Sequence, residues 1–143
     1  MRISSYVLPD GTPSYGVVTE GGIADAGARL RARYPDVRAV LGAGATELLA
    51  SEAEGADLID PGVVTLLSPV PNPDKILCVG LNYLPHILES GRPHPEYPSL
   101  FTRYPSSVVG HGVPIVRPKA SREFDYEGEL AFVIGRDGRH IAE

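Results

Sequence analysis

Arg2 to Leu8 and Tyr15 to Val18 are short apolar-rich runs, and the turn tripeptide Pro9-Asp10-Gly11 stands between them, a pattern that predicts an opening hairpin. From Asp25 to Tyr34 the period lengthens. Ala26, Leu30 and Tyr34 recur at helical spacing with Arg29, Arg31 and Arg33 between them, and Pro35 marks the end. A second helix is predicted over Thr46 to Ala53, with Leu48 and Leu49 facing inward, and a strand over Val63 to Leu67. Pro69, Pro71 and Pro73 then interrupt any regular element. That break predicts a boundary between a small α+β domain at 1–70 and a second domain at 71–143.

Beyond it the pattern predicts a strand over Lys75 to Val79, the turn Gly80-Leu81-Asn82-Tyr83 and a short helix over Pro85 to Ser90. A proline-broken loop follows, Arg92 to Pro98. Strands are then predicted over Ser99 to Arg103, Val113 to Val116 and Tyr126 to Gly135, with Asp137-Gly138 as a hairpin signal. The last strand alternates apolar side chains on both faces and needs cover on each side. The expected fold class is therefore mixed α/β and β-rich, with the second domain incomplete over the residues present.

Composition narrows the function. Thirteen basic and eighteen acidic residues give a formal charge of −5, and no Lys/Arg cluster breaks the acidic balance, which argues against nucleic acid as partner. The single cysteine, Cys78, reads as a packed core thiol, and it excludes both an internal disulfide and a paired-cysteine zinc site. No apolar run reaches the roughly 18 residues of a membrane span. These features predict a cytoplasmic protein whose chemistry uses oxygen and nitrogen groups.

Three sets of residues stand out. Glu127-Gly128-Glu129 heads the apolar run; on a strand its carboxylates share one face, roughly 7 Å apart along the backbone. Such a pair is either two solvated surface groups or two ligands of a hard cation, magnesium, manganese or calcium. His86 and Glu89 lie three apart on the predicted helix, either as a surface ion pair or as a base whose imidazole the carboxylate orients. Arg103 is either an ordinary surface arginine or a bidentate clamp on a substrate carboxylate. Gly42-Ala43-Gly44 follows no strand and lacks the lysine of a phosphate loop.

Taken in order, Lys75-Ile-Leu-Cys-Val-Gly-Leu-Asn-Tyr83, His86-x-x-Glu89, Phe101-x-Arg103-x-Pro-Ser-Ser107, Gly110-His-Gly-x-Pro-Ile115 and Phe124-Asp-Tyr-Glu-Gly-Glu-Leu-Ala-Phe-Val-Ile-Gly135 resemble the fumarylacetoacetate hydrolase family. The resemblance covers most of 63–143 and is loose before that. It implies a catalytic domain built on a mixed β-sheet roll. It also implies Glu127 and Glu129 as two of three carboxylate ligands of a divalent metal, usually magnesium, and His86 with Glu89 as a water-activating pair on a lid helix. Tyr83 and Arg103 become substrate-binding residues; the family commonly has lysine at the latter position. The third metal ligand of the family, an aspartate, would lie beyond residue 143, so the chain is expected to be the N-terminal part of a longer enzyme. The implied activity is hydrolysis of a carbon–carbon bond in a 2,4-dioxo acid, with isomerisation or decarboxylation of an unsaturated 2-oxo diacid as the alternative. The expected partners are a small 2-oxo acid and a second copy of the chain, as a homodimer. A reading of another class remains: a non-catalytic, cation-binding fragment.

Overall fold

The computed structural model describes residues 1–142. The chain divides into two compact units, one made of 1–70 together with the residues from Val109 onward, the other of 71–108. It is mixed α/β and rich in strands, all paired antiparallel.

In the first unit, β1 (Ile3–Val7), β2 (Pro13–Thr19), β3 (Gly22–Ala24), β4 (Leu58–Ile59) and β5 (Thr65–Leu66) form one sheet in the order β4-β3-β2-β1-β5. The opening hairpin is as predicted. In its turn the Asp10 carboxylate accepts the Thr12 amide hydrogen at 2.8 Å and Gly11 takes the left-handed conformation. Strand β3 was not foreseen, because Glu20-Gly21-Gly22 reads as a loop; only Glu20 and Gly21 are the turn, and Gly22 already pairs with Thr19.

Helix α1 is shorter than the pattern suggests, Gly27–Leu30, although Arg33 and Tyr34 still bond back to the Leu30 carbonyl. The next helix, α2 (Val37–Gly42), is absent from the sequence reading, yet its signals are local. Asp36 caps it by accepting from the Ala39 amide at 2.8 Å, and Gly44 and Ala45 close it by bonding to the Leu41 and Val40 carbonyls. Helix α3 spans Thr46–Ala53 as expected. Tyr15, Ala26, Leu30, Val37, Val40 and Leu49 form the core, with Ile3 and Val17 of the sheet and Val70 packed against it.

The second unit holds a two-stranded ribbon, β6 (Ile76–Gly80) with β7 (Ser99–Arg103), and helix α4 (Leu84–Ser90) between them in sequence. Pro85 sits in the first turn of α4, where no amide hydrogen is required, and Gly91 ends the helix in the left-handed conformation. Ile87 is the one buried residue of α4.

Two predicted strands do not form. Val113 to Val116 and Tyr126 to Gly135 are exposed and carry no strand structure, so Glu127 and Glu129 do not share a strand face as expected. A strand is held by the hydrogen-bond ladder to its neighbour, and no strand among the described residues pairs with either segment. Pro114 further removes a donor from the first of them.

Candidate functional site

The second unit carries an open cleft of about 240 Å³ where the end of β6 turns toward α4. Val79 to Asn82, Ile87 of the helix and the loop from His94 to Pro98 line it. The turn is conformationally demanding: Leu81 has φ +53°, a region that a leucine enters only when its surroundings hold it there. Such backbone is typical of turns that present groups to a ligand.

Helix α4 places His86 and Glu89 on one side, with Nδ1 and Oε2 4.0 Å apart. That is ion-pair distance and too long for a direct hydrogen bond. Both side chains are well solvated, so the pair adds little to stability and is accessible to a solute. Neither lines the cleft; their neighbour Ile87 does. Tyr83 precedes the helix, its carbonyl accepting from the Ile87 amide at 3.0 Å.

Arg103 closes β7 opposite Ile76. Its guanidinium lies over the Phe101 ring, 5.2 Å from the centroid, which steadies the charge on the ribbon without burying it. Cys78, half-buried, faces Phe101 across the ribbon. Glu127 and Glu129 lie in the other unit, both exposed.

Two carboxylates are an all-oxygen donor set of the kind magnesium accepts. Among the described residues, however, no three His, Cys, Asp or Glu side chains gather to hold a metal ion. The lining also includes Asn82, from the Gly80-Leu81-Asn82-Tyr83 turn, and two residues that the sequence did not single out, His94 and Glu96; His94 Nδ1 lies 2.9 Å from the Pro95 carbonyl. The only sequence signal for His94 and Glu96 was their position in the proline-broken loop.

Comparison with known proteins places these residues in a family. Residues 75–143 match the model "Fumarylacetoacetate (FAA) hydrolase C-terminal", a range that includes Tyr83, His86, Glu89, Arg103, Glu127 and Glu129. Over 80 residues the chain is 49% identical to oxaloacetate tautomerase fahd2, mitochondrial, of Xenopus laevis, which covers 56% of this chain and 25% of the relative. Oxaloacetate tautomerase FAHD2A, mitochondrial, of Homo sapiens is 49% identical over 78 residues, 54% of this chain and 25% of its own. The chain thus spans about a quarter of the length of these relatives. A crystal structure described as an HpcE protein from Mycobacterium smegmatis superposes with a TM-score of 0.62 at 30% identity, over 82% of this chain and 41% of that one. No described helix is long and apolar enough to cross a membrane. Over residues 75–143, on the strength of its sequence and of this shared fold, the chain belongs to the fumarylacetoacetate hydrolase family.

Proposed function

We propose that the full-length protein is a divalent-metal-dependent enzyme that interconverts the enol and keto forms of a 2-oxo diacid such as oxaloacetate. The observation that carries this reading is the 49% identity to proteins named as oxaloacetate tautomerases. It favours isomerisation over the carbon–carbon hydrolysis that the family name suggests. Glu127 and Glu129 would supply two carboxylates to a magnesium ion, with manganese or calcium as substitutes; when bound, the ion polarises the 2-oxo group. His86, paired with Glu89, is exposed and suited to carrying a proton between solvent and substrate carbon. Arg103 holds a fixed cation for a substrate carboxylate. Tyr83 leads into the helix from the cleft turn and completes the substrate-binding set.

Ultraviolet loss of the enol band of oxaloacetate, followed with and without magnesium, tests the reading. Acceleration beyond the spontaneous rate supports it, and release of pyruvate with carbon dioxide or of hydrolysis products instead would replace it. The full-length protein is also proposed as a homodimer, because Tyr126, Leu130, Phe132 and Ile134 are exposed apolar side chains in one short segment. A monomeric mass by light scattering would refute that.

A further inference from the structure

The Gly110-His-Gly-x-Pro-Ile115 motif takes no part in the chemistry proposed above, and its surroundings give it another role. Leu67 donates its amide hydrogen to the Ser5 carbonyl at 2.9 Å, and Leu66 stands opposite Tyr6 at the adjoining register position. In an antiparallel ladder these positions alternate, so the amide and carbonyl of Leu66 point away from β1. Because β5 is the last strand of its sheet, they point out of its open edge.

Gly110 sits against that edge. A Cβ there would run into the Leu66 carbonyl oxygen and lie 2.8 Å from the carbonyl carbon and 3.0 Å from Leu67 Cα. The α-hydrogen that glycine carries in place of Cβ therefore points at the oxygen, as in the Cα–H···O contacts between neighbouring strands. The chain then turns back at once. Val113 donates to the Gly110 carbonyl at 3.3 Å, and Gly112 has φ +76°, the conformation that the third residue of a type II turn requires and glycine supplies. Pro114 follows, with no amide hydrogen to extend a ladder. Gly110 is half-buried and every residue from 111 to 120 is exposed, so the contact is confined to this crossing.

We infer that Gly110-His-Gly112 is a strap that closes the outer edge of β5 against a second copy of the chain. An open edge of outward amide and carbonyl groups is a template for strand addition. The occupant that fits is β5 of another copy, antiparallel across a two-fold axis, since such an edge matches itself and every strand pair among the described residues is antiparallel. This inference is independent of the activity proposed above.

The test is the mass of the full-length protein by sedimentation velocity over a concentration series, with thermal melting as the check on folding. Gly110→Ala should displace the strap, and a species of twice the wild-type mass should appear and grow with concentration. Gly112→Ala, whose Cβ meets nothing within 4 Å but which strains the turn, should do the same to a smaller extent. Adding Thr65→Lys to either variant should restore the wild-type mass, because Thr65 is exposed on β5 and an edge lysine opposes strand addition. Wild-type mass at every concentration in the folded variants overturns the inference. A doubled mass that Thr65→Lys leaves in place overturns it too, since association then uses another surface. Loss of the fold in both glycine variants does the same, because the turn would then hold the fold rather than cover an edge.

Discussion

The Tyr6 hydroxyl donates to Asp25 Oδ1 at 2.9 Å in the interior of the first unit, where Tyr6 is fully buried and Asp25 nearly so. Ser14 Oγ donates to the same oxygen at 2.6 Å and the Ala28 amide at 3.2 Å. One carboxylate oxygen therefore joins β1, β2 and the start of α1.

Asp25→Ala should be among the most destabilising single changes in this unit. It strands two buried hydroxyls and an amide near a helix start, and hydrogen bonds to a charged group are each worth roughly 1.5–3 kcal/mol. A loss of about 3 kcal/mol or more in urea unfolding is expected, with Tyr6→Phe costing less because it removes one bond and leaves Asp25 with two partners. Equal costs for the two variants would show that the carboxylate is not the hub.

Stability should also fall in alkali. Burial, then the hydrogen bond to Asp25 and its negative charge, drive the Tyr6 hydroxyl far above the ordinary tyrosine value of 10.0. Burial, followed by the charge of Asp36, pushes Tyr15 up to about 12. Above pH 10 the unfolded chain loses these protons while the folded chain retains them, so the unfolded state is favoured progressively as pH rises. Below the unfolded value both states are protonated and the contribution is fully present. Urea midpoints measured from about pH 8 to 12 should decline above 10, and Tyr6→Phe should shallow the decline.

Much of the fold was legible because its signals are local. Thr46–Ala53 and Ser99–Arg103 match their predicted bounds, since each follows one period between clear breaks. Asp36 before Val37, Val40 and Leu41 was equally local evidence for α2 and was overlooked. The Asp25 hub was not legible: Tyr6 and Asp25 are 19 residues apart, and only sheet formation brings them together. At the site, the spacing of His86 and Glu89 survives as a contact because three residues is a helical interval. His94 and Glu96 were missed because a proline-broken loop has no period to read. Tyr126 to Gly135 failed in the opposite sense, with a strong strand pattern and no neighbouring strand to bond.

Two glycines should respond oppositely to alanine. At Gly16 in β2 a Cβ would run into the Ala24 carbonyl oxygen and come within 2.9 Å of Ile23 Cγ2, so β3 must move away. Gly16→Ala should cost about 1–3 kcal/mol. At Gly42, on α2, a Cβ meets nothing within 4 Å, and alanine should stabilise by about 0.5–1 kcal/mol. Thermal melts of both variants check the pair, and a stabilising Gly16→Ala would show that the approach of β3 is not tight.

Leu81 supplies a conformational test of the cleft. Its φ of +53° disfavours a β-branched side chain and suits glycine or asparagine. Leu81→Val should lower stability by about 1–2 kcal/mol, whereas Leu81→Asn should be better tolerated although it gives up apolar packing. The reverse order in thermal melts would mean that this turn adopts an ordinary extended conformation.

Magnesium affinity should distinguish the 143 residues from any longer protein that contains them. Glu127 and Glu129 bring two carboxylates, and no group of three candidate ligands exists among the described residues. Magnesium demands near-octahedral oxygen coordination and gives up its water reluctantly, so an incomplete donor set binds it weakly. Titration calorimetry should therefore find only millimolar magnesium affinity for the 143-residue chain, and tighter binding for the full-length protein. In the latter, Glu129→Gln should weaken binding by at least about tenfold, because it replaces an anionic oxygen with a neutral amide that screens the ion less well. It should leave thermal stability without metal unchanged, since Glu129 is exposed. Micromolar binding by the 143-residue chain would show that it completes a cation site unaided. Unaltered affinity in Glu129→Gln would remove this carboxylate from the metal site altogether.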